Sequence, residues 1–338
     1  YFLKKGVVSK LTSQFPSTTA NCVTCINTGL PVGESGIYEW NYYEPKFDAI
    51  ISPLLFSYSG KKVRDTLVPT GTAAKSILPN VTVYKKLKAI GVDSYIFQHS
   101  DYTPSAYSDV VFEGATKVFP YVSFSEALTN LVKTHKEVTN PSYFFLYFDK
   151  VDGMGHKYGP TSPHFEAEVD TLLNTLNRLF LPEMKRNKKK DTLFLFTADH
   201  GQSNINPKTT FYLNLKIPEI IPFIQKNKKG ELLVQAGSPR DLFLHIKKDC
   251  INKAQKLLQE KLVGKAEVIQ TAELIKQGFF GKTISKEFLS RVGNLVILSY
   301  DNESIWWYEK DIFEQKYFGH HGGLTRNEME IPLLLCQF

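Results

Sequence analysis

The sequence predicts an α/β fold: a mostly parallel sheet with helices on both faces, plus a smaller inserted α+β subdomain. Three observations carry this reading. Short apolar runs alternate with helix-period segments over some 120 residues, from about Val81 to Ser203, the pattern of a parallel sheet covered on both faces. The run Phe194-Leu195-Phe196-Thr197 ends abruptly in Ala198-Asp199-His200-Gly201, which is how a buried strand of an open sheet delivers polar residues at its C-terminal tip. After Ser203 the rhythm breaks and resumes only with Gly319-His320-His321-Gly322-Gly323 and a final apolar strand, Ile331 to Cys336. The expected division is a core of residues 1–205 and 319–338, with 206–318 as the inserted subdomain.

In chain order, Tyr1 to Val8 reads as a helix end running into a strand, and Thr12 to Thr19 as a polar stretch rich in hydroxyls. A helix follows from about Ala20 to Thr28, stopped by Gly29 with Pro31 beyond it. Residues 34–75 are aromatic and rich in Tyr, Pro and Ser; they read as an irregular excursion covering something. Val81 to Ile90 is helical and ends at Gly91. Asp93 to Gln98 is a short buried strand. Ser123 to Val138 is an amphipathic helix with Ser123 as cap and Glu126 at the capping-box position. Tyr143 to Phe148 is another apolar strand. Pro163 to Phe180 is a helix on the spacing Val169, Leu172, Leu173, Leu176 and Leu179. In the insert, Leu242 to Ile246 and Leu295 to Leu298 read as strands and Asn252 to Leu262 as a charged helix.

Composition excludes several classes of function. No apolar run approaches the ~20 residues that span a bilayer, so no membrane span is expected. The formal charge of +7 suits an anionic substrate, yet much of the excess lies in Lys185-Arg186-Asn187-Lys188-Lys189-Lys190, which reads as a solvated loop. No aromatic interleaving accompanies it, so a nucleic-acid polymer is not an expected partner. Cys22, Cys25, Cys250 and Cys336 are too few for a disulfide scaffold. Cys22-x-x-Cys25 lacks a second pair to complete a zinc site and reads as two thiols on a packed helix. Unpaired thiols lean toward a reducing, cytoplasmic compartment, although a chain opening on Tyr1 leaves room for a leader. Oligomeric state is not legible.

Three stretches carry chemistry. Asp149-Lys150-Val151-Asp152-Gly153-Met154-Gly155-His156 leaves a strand tip, and its glycines would let a loop fold Asp152 and His156 onto one ion. A carboxylate with an imidazole suits Zn²⁺ or Mn²⁺, with Asp149 a competitor for the ligand role. Asp199 and His200 are a second such pair. In Gly319-His320-His321-Gly322-Gly323 adjacent imidazoles do not easily reach one ion, so one, His321, is taken as a ligand and His320 as a neighbour or substrate contact. Five candidates on three loops, Asp152, His156, Asp199, His200 and His321, suit two metals better than one. Ser17-Thr18-Thr19 places hydroxyls at a helix start, where unpaired N–H groups favour a phosphate; one of them is a cap or a nucleophile.

These residues resemble a known family. Phe15-Pro16-Ser17-Thr18-Thr19, then Asp152-x-x-x-His156 with Gly159-Pro160, then Thr197-Ala198-Asp199-His200-Gly201, then His321-Gly322-Gly323 occur in this order in the alkaline phosphatase superfamily. The likeness is closest to its nucleotide pyrophosphatase/phosphodiesterase branch and spans nearly the whole chain. It implies a phosphodiesterase with two zinc ions, in which Thr19 matches the nucleophile. Asp152, His156 and His321 match the ligands of one zinc, and Asp199 with His200 match ligands of the other. The family takes a further Asp from a strand ahead of the nucleophile, and no such strand precedes Thr19 here; a segment bearing it is expected outside this sequence. Relatives also place an Asn downstream of the nucleophile, a role that falls to Asn41 with a one-residue shift, and Ser35 stands where the motif commonly carries His. The expected substrate is a small phosphate ester or nucleotide. The alternatives are a phosphate monoesterase, a two-Mn²⁺ phosphoglycerate mutase relative with Ser17 or Thr18 as nucleophile, and an inactive binding module. A sulfatase is disfavoured because neither Cys22 nor Cys25 has the required Cys-x-Pro-x-Arg context.

Overall fold

The computed structural model describes residues 6–186 and 191–338. The stretch Tyr1–Lys5 and the centre of the basic run, 187–190, lie outside the described residues, so the helix end expected at Tyr1 and the solvated loop expected there are not addressed.

The chain opens with strand β1 (Val7–Thr12), then helix α1 (Thr19–Thr28). Gly29 ends α1 at φ 72° with its N–H on the Cys25 carbonyl, the left-handed cap that glycine adopts without a Cβ penalty. Strand β2 (Asp93–His99) pairs in parallel with both β3 (Lys117–Tyr121) and β4 (Ser142–Leu146). Helix α2 (Phe124–Glu137) lies between β3 and β4 and begins with the capping box of Ser123 and Glu126. Helices α3 (Lys150–Tyr158) and α4 (Pro163–Thr175) follow, then strand β5 (Leu193–Thr197) and the two-residue β6 (Ser203–Asn204). The later part holds β7 (Ala236–Ser238), β8 (Asp241–Leu244), α5 (Ile251–Lys261), β9 (Ala266–Gln270) and β10 (Leu295–Ser299), in an antiparallel sheet ordered β7-β8-β10-β9. The chain ends with β11 (Gly319–His320), paired to β6, and β12 (Glu330–Gln337).

The α/β class and the parallel strands are as expected, and four details differ. The run around Phe194 is not an all-buried parallel strand: β5 pairs antiparallel with the returning β12, which also pairs with β1. Its alternation is two-sided, with Leu193 and Leu195 71% and 53% exposed while Phe194 and Phe196 pack into the core beneath α2 and α4. The period-2 pattern was thus hidden inside a run that is apolar at every position. Residues 34–75 are not wholly irregular, since Tyr42–Glu44, Ala49–Ser52 and Ser57–Tyr58 form an antiparallel meander. The helix from Pro163 passes at Leu176 into a π-helical turn through Phe180 and then continues as α-helix to Arg186. Of its apolar positions Leu172 and Leu176 are buried, whereas Leu173 is exposed.

One core cluster runs from Phe15, Ile37 and Tyr42 through Ile96 and Val111 to Phe243, Phe288 and Val296, so the first hundred residues pack directly on the four-stranded sheet. Two buried ion pairs tie the later part of the chain to its surroundings, the first to residues 42–44 and the second to the segment before β12. Arg291 binds Glu44 at 2.7 Å. Arg240 donates Nε and Nη2 to the two oxygens of Glu328, both at 2.9 Å, and its remaining N–H groups to the carbonyls of Ser299, Tyr300 and Glu303. All five guanidinium donors are used, the condition under which a buried pair can be tolerated. Arg240→Met is expected to cost about 3–5 kcal/mol of unfolding free energy, because it leaves Glu328 buried and uncompensated; denaturant titration measures it.

His245 is the opposite case. It is buried against the edge of the Tyr43 ring at 5.5 Å, and its Nε2 has no hydrogen-bond partner. Burial lowers its pKa from 6.5 to about 4. The folded state therefore holds it neutral, and the associated stability is present above pH 6.5 and drains as pH falls towards 4. A shift of that size corresponds to about 3 kcal/mol at the acid end. His245→Phe should flatten the acid limb of the stability–pH curve by that order; an unchanged slope would refute the assignment.

Candidate active site

Three chain segments meet at one end of the strands. After β4, the chain turns at Asp149 into α3, so Asp152 and His156 lie on a helix at i and i+4 and not on a glycine loop. That spacing brings one helix face's side chains together, and Asp152 Oδ2 stands 3.4 Å from His156 Nε2. Gly155 is needed for a different reason from the expected loop flexibility: a Cβ there would lie 2.2 Å from Gln202 Oε1. Gln202 in turn hydrogen-bonds both the carbonyl and the carboxylate of Asp152. Asp149 faces elsewhere, with Tyr102 at 2.5 Å and Lys150 at 3.1 Å on its Oδ2.

The second segment follows β5. Asp199 and His200 sit at the tip, with His200 Nε2 3.5 Å from Asp199 Oδ2. Asp199 Oδ2 is buried and has no hydrogen-bond partner. The third segment, β11 and the turn after it, brings His321 Nε2 to 3.9 Å from Asp152 Oδ1 and stacks its ring on His200 at 3.7 Å. Ligand-type atoms of Asp152, His156 and His321 all lie within 4.8 Å of one another. All five residues singled out in the sequence are therefore brought into one neighbourhood.

The imidazoles share one orientation device. His156 Nδ1 lies 2.8 Å from the Gly319 carbonyl, His200 Nδ1 2.9 Å from the Gly201 carbonyl, and His321 Nδ1 3.0 Å from the Ser17 carbonyl. A carbonyl only accepts, so each Nδ1 carries the proton and each Nε2 presents a lone pair. This is the outer-shell arrangement that fixes a metal-ligating histidine. Burial, and then neighbouring imidazoles, hold His321 well below the usual histidine range; the same causes act on His320. For His200 burial also pulls down, but Asp199 and Asp152 outweigh it and the net shift is upward.

The three hydroxyls ahead of α1 are now distinguishable. Ser17 is fully buried and donates to the Gly323 carbonyl at 2.8 Å. Thr18 is the N-cap residue, fully buried, with no side-chain cap bond. Thr19 alone is part-exposed, and its Oγ1 lies 2.8 Å from His200 Nε2. Asn41 turns its side-chain oxygen to the hydroxyls of Ser52 and Ser59, at 2.7 and 3.0 Å. His320 keeps its Nδ1 within its own turn, 3.1 Å from the His321 N–H, while its ring stands 5.1 Å from that of His156. All four cysteines are free, and burial pushes the Cys22 thiol up to about 12, so it is no ready thiolate. Sequence reasoning passed over Gln202, Glu39, Ser238 and Asp241, since single polar residues beside glycine or in an insert carry no spacing signal.

The profile of the type I phosphodiesterase / nucleotide pyrophosphatase family matches residues 1–324. Venom phosphodiesterase CdcPDE of Crotalus durissus collilineatus is 27% identical over 194 residues, 57% of this chain and 22% of that protein. GPI ethanolamine phosphate transferase 2 of Schizosaccharomyces pombe is 27% identical over 150 residues, 40% of this chain and 19% of that protein. The chain thus spans about a fifth of the length of these relatives. Murine ectonucleotide pyrophosphatase / phosphodiesterase 5 superimposes with a TM-score of 0.73 at 18% identity, covering 99% of this chain and 81% of the other. Phosphonoacetate hydrolase from Sinorhizobium meliloti 1021 gives 0.64 at 17% identity, covering 99% and 82%. With the family profile covering almost all of it, the chain belongs to the type I phosphodiesterase / nucleotide pyrophosphatase family of the alkaline phosphatase superfamily.

Proposed function

We propose that the protein is a metal-dependent phosphodiesterase in which Thr19 is the nucleophile. The observation that carries this is the convergence of three imidazole Nε2 atoms, each with its Nδ1 tied to a backbone carbonyl, upon Asp152, Asp199 and the Thr19 hydroxyl. The donor set fits two divalent cations: Asp152, His156 and His321 for one, and Asp199, His200 and the Thr19 oxygen for the other. The orphaned, buried Asp199 Oδ2 supports the second assignment. Nitrogen and carboxylate donors favour Zn²⁺, with Mn²⁺ the alternative. Such ions, when bound, supply Lewis-acid stabilisation and lower the pKa of hydroxyl and water ligands.

The chain's own residues do the remainder. Thr19, the first residue of α1, holds its oxygen at the positive end of the helix, where phosphoryl charge is favoured. Oγ1 attacks phosphorus as its proton is lost, the P–O bond to one alcohol of the diester breaks and that alcohol departs protonated, and the phosphoryl group stays on Thr19 still esterified to the other alcohol; water then cleaves the Thr19 O–P bond, releasing a phosphate monoester and restoring the threonine hydroxyl. The burial of Ser17 and Thr18 speaks against the mutase-like alternatives that would use them. An inactive threonine-to-alanine variant of murine ectonucleotide pyrophosphatase / phosphodiesterase 5 has been crystallised with AMP, with a TM-score of 0.72 to this chain. That supports both a threonine nucleophile and a nucleotide-type substrate here.

Thr19→Ala is expected to abolish hydrolysis of a chromogenic phosphodiester, by at least about 10³-fold, while metal content stays intact; a near-native rate would remove Thr19 from the mechanism. His321→Ala should lower zinc stoichiometry and activity together, read by elemental analysis alongside the rate. Faster turnover of a phosphate monoester than of the diester, with zinc or with manganese, would shift the reading to a monoesterase.

A further inference from the structure

Behind the site, the His321–Gly322 backbone presses against a buried polar cluster that the mechanism does not use. Gly322 has φ 122°, and a Cβ there would lie 2.4 Å from Ser238 Oγ and 2.5 Å from Asp241 Oδ1. Asp241 and Glu39 are both fully buried, and Ser238 nearly so. Ser238 Oγ is 2.5 Å from Asp241 Oδ1 and 2.9 Å from the His321 carbonyl, and it accepts the Arg240 N–H at 3.1 Å.

The hydrogen count decides what this cluster is. A serine hydroxyl has one proton. If Asp241 were ionised, both its Oδ1 and the His321 carbonyl would be acceptors competing for that proton. A peptide carbonyl cannot supply a second proton, whereas a carboxyl group can. The surroundings point the same way. No cation is paired with Asp241 among the described residues. The carboxylates of Glu39 and Glu328 face it, as does the Tyr38 hydroxyl group. Its Oδ1 also accepts the Ser238 N–H at 3.1 Å, but its Oδ2, Glu39 Oε1 and Thr18 Oγ1 are all buried without hydrogen-bond partners, so one neutral N–H is left to offset a second buried negative charge.

We propose that Asp241 is held as a neutral carboxylic acid whose Oδ1–H donates to Ser238 Oγ, freeing the Ser238 hydroxyl to donate to the His321 carbonyl. Asp241 is then a positioning residue: it acts through Ser238 on the backbone that carries His321, with Ser17 Oγ receiving the Gly322 N–H at 3.2 Å on the other side. Its burial, followed by Glu39, raises its pKa well above the carboxylate range, in keeping with that state. A carboxylic acid kept protonated so that it can donate a hydrogen bond is a known use of an apolar, anion-facing site.

The test is difference infrared spectroscopy of the full chain at about pH 8, some four units above the ordinary Asp pKa of ~3.9. The carbonyl stretch of a protonated carboxylic acid is expected in the wild type, moving on exchange into ²H₂O. Asp241→Asn should lose that band and Glu39→Gln should keep it. Ser238→Ala, which removes the acceptor without touching the acid, should shift it to higher frequency. Absence of the band from the wild type overturns the proposal whether or not any variant folds. So does its loss in Glu39→Gln with retention in Asp241→Asn, which would make Glu39 the proton holder and leave His321 without its serine donor.

Discussion

The ion pair of Arg240 with Glu328 is the constraint on which the arrangement of the site rests. Arg240 belongs to the turn between β7 and β8, and Glu328 to the segment after the His320-His321 turn. Glu328 also receives the Gly323 N–H and the Thr325 hydroxyl, at 3.0 and 2.6 Å. One buried carboxylate therefore fixes the exit of the turn that presents His321, and one guanidinium fixes that carboxylate. The same guanidinium binds the main chain at Ser299, Tyr300 and Glu303. The later sheet is thus wired to the end of the molecule that holds the candidate site, and not merely packed on it. A pair with neither side chain exposed gains little net stability from attraction alone, but it allows only one geometry.

From that anchor the site is assembled by the main chain. Ser17 lies under His321, Gly319 under His156, and Gly201 under His200. Each contributes a carbonyl: Gly319 and Ser17 reach their histidines from segments distant in sequence, whereas Gly201 holds the imidazole of the residue before it. Thr19 follows from Ser17 by two residues, which ties the position of the proposed nucleophile to His321 through the main chain.

How much of this was legible in the sequence depended on whether the signal was local. The parallel strands around Asp93 and Ser142, the capping box at Ser123 and the stop at Gly29 follow from neighbouring residues, and the structure shows them. The five candidate residues stand out because Asp and His at strand tips, flanked by glycine, are unusual in combination. The choice among Ser17, Thr18 and Thr19 was not legible without the family likeness, because it depends on which hydroxyl the fold leaves part-exposed. The orientation of the run around Phe194 was hidden for a related reason: which neighbour a strand pairs with is decided by β12, over 130 residues later. Asp241 and Glu39 are invisible as a pair because only folding brings them together.

The carbonyl groups behind the imidazoles have an evolutionary corollary. Any amino acid supplies a carbonyl, so this outer layer of support imposes almost no preference on side-chain identity and cannot be deleted by a point change. Divergent homologues can lose nearly all resemblance around the site while its orientation machinery persists. What selection can act on instead is clearance: Gly201 and Gly319 admit no Cβ, since one would meet the Asn327 carbonyl oxygen at 2.1 Å and that of Gly155 at 2.3 Å. The lineage's memory of this centre would then be written in its smallest residues as much as in its reactive ones.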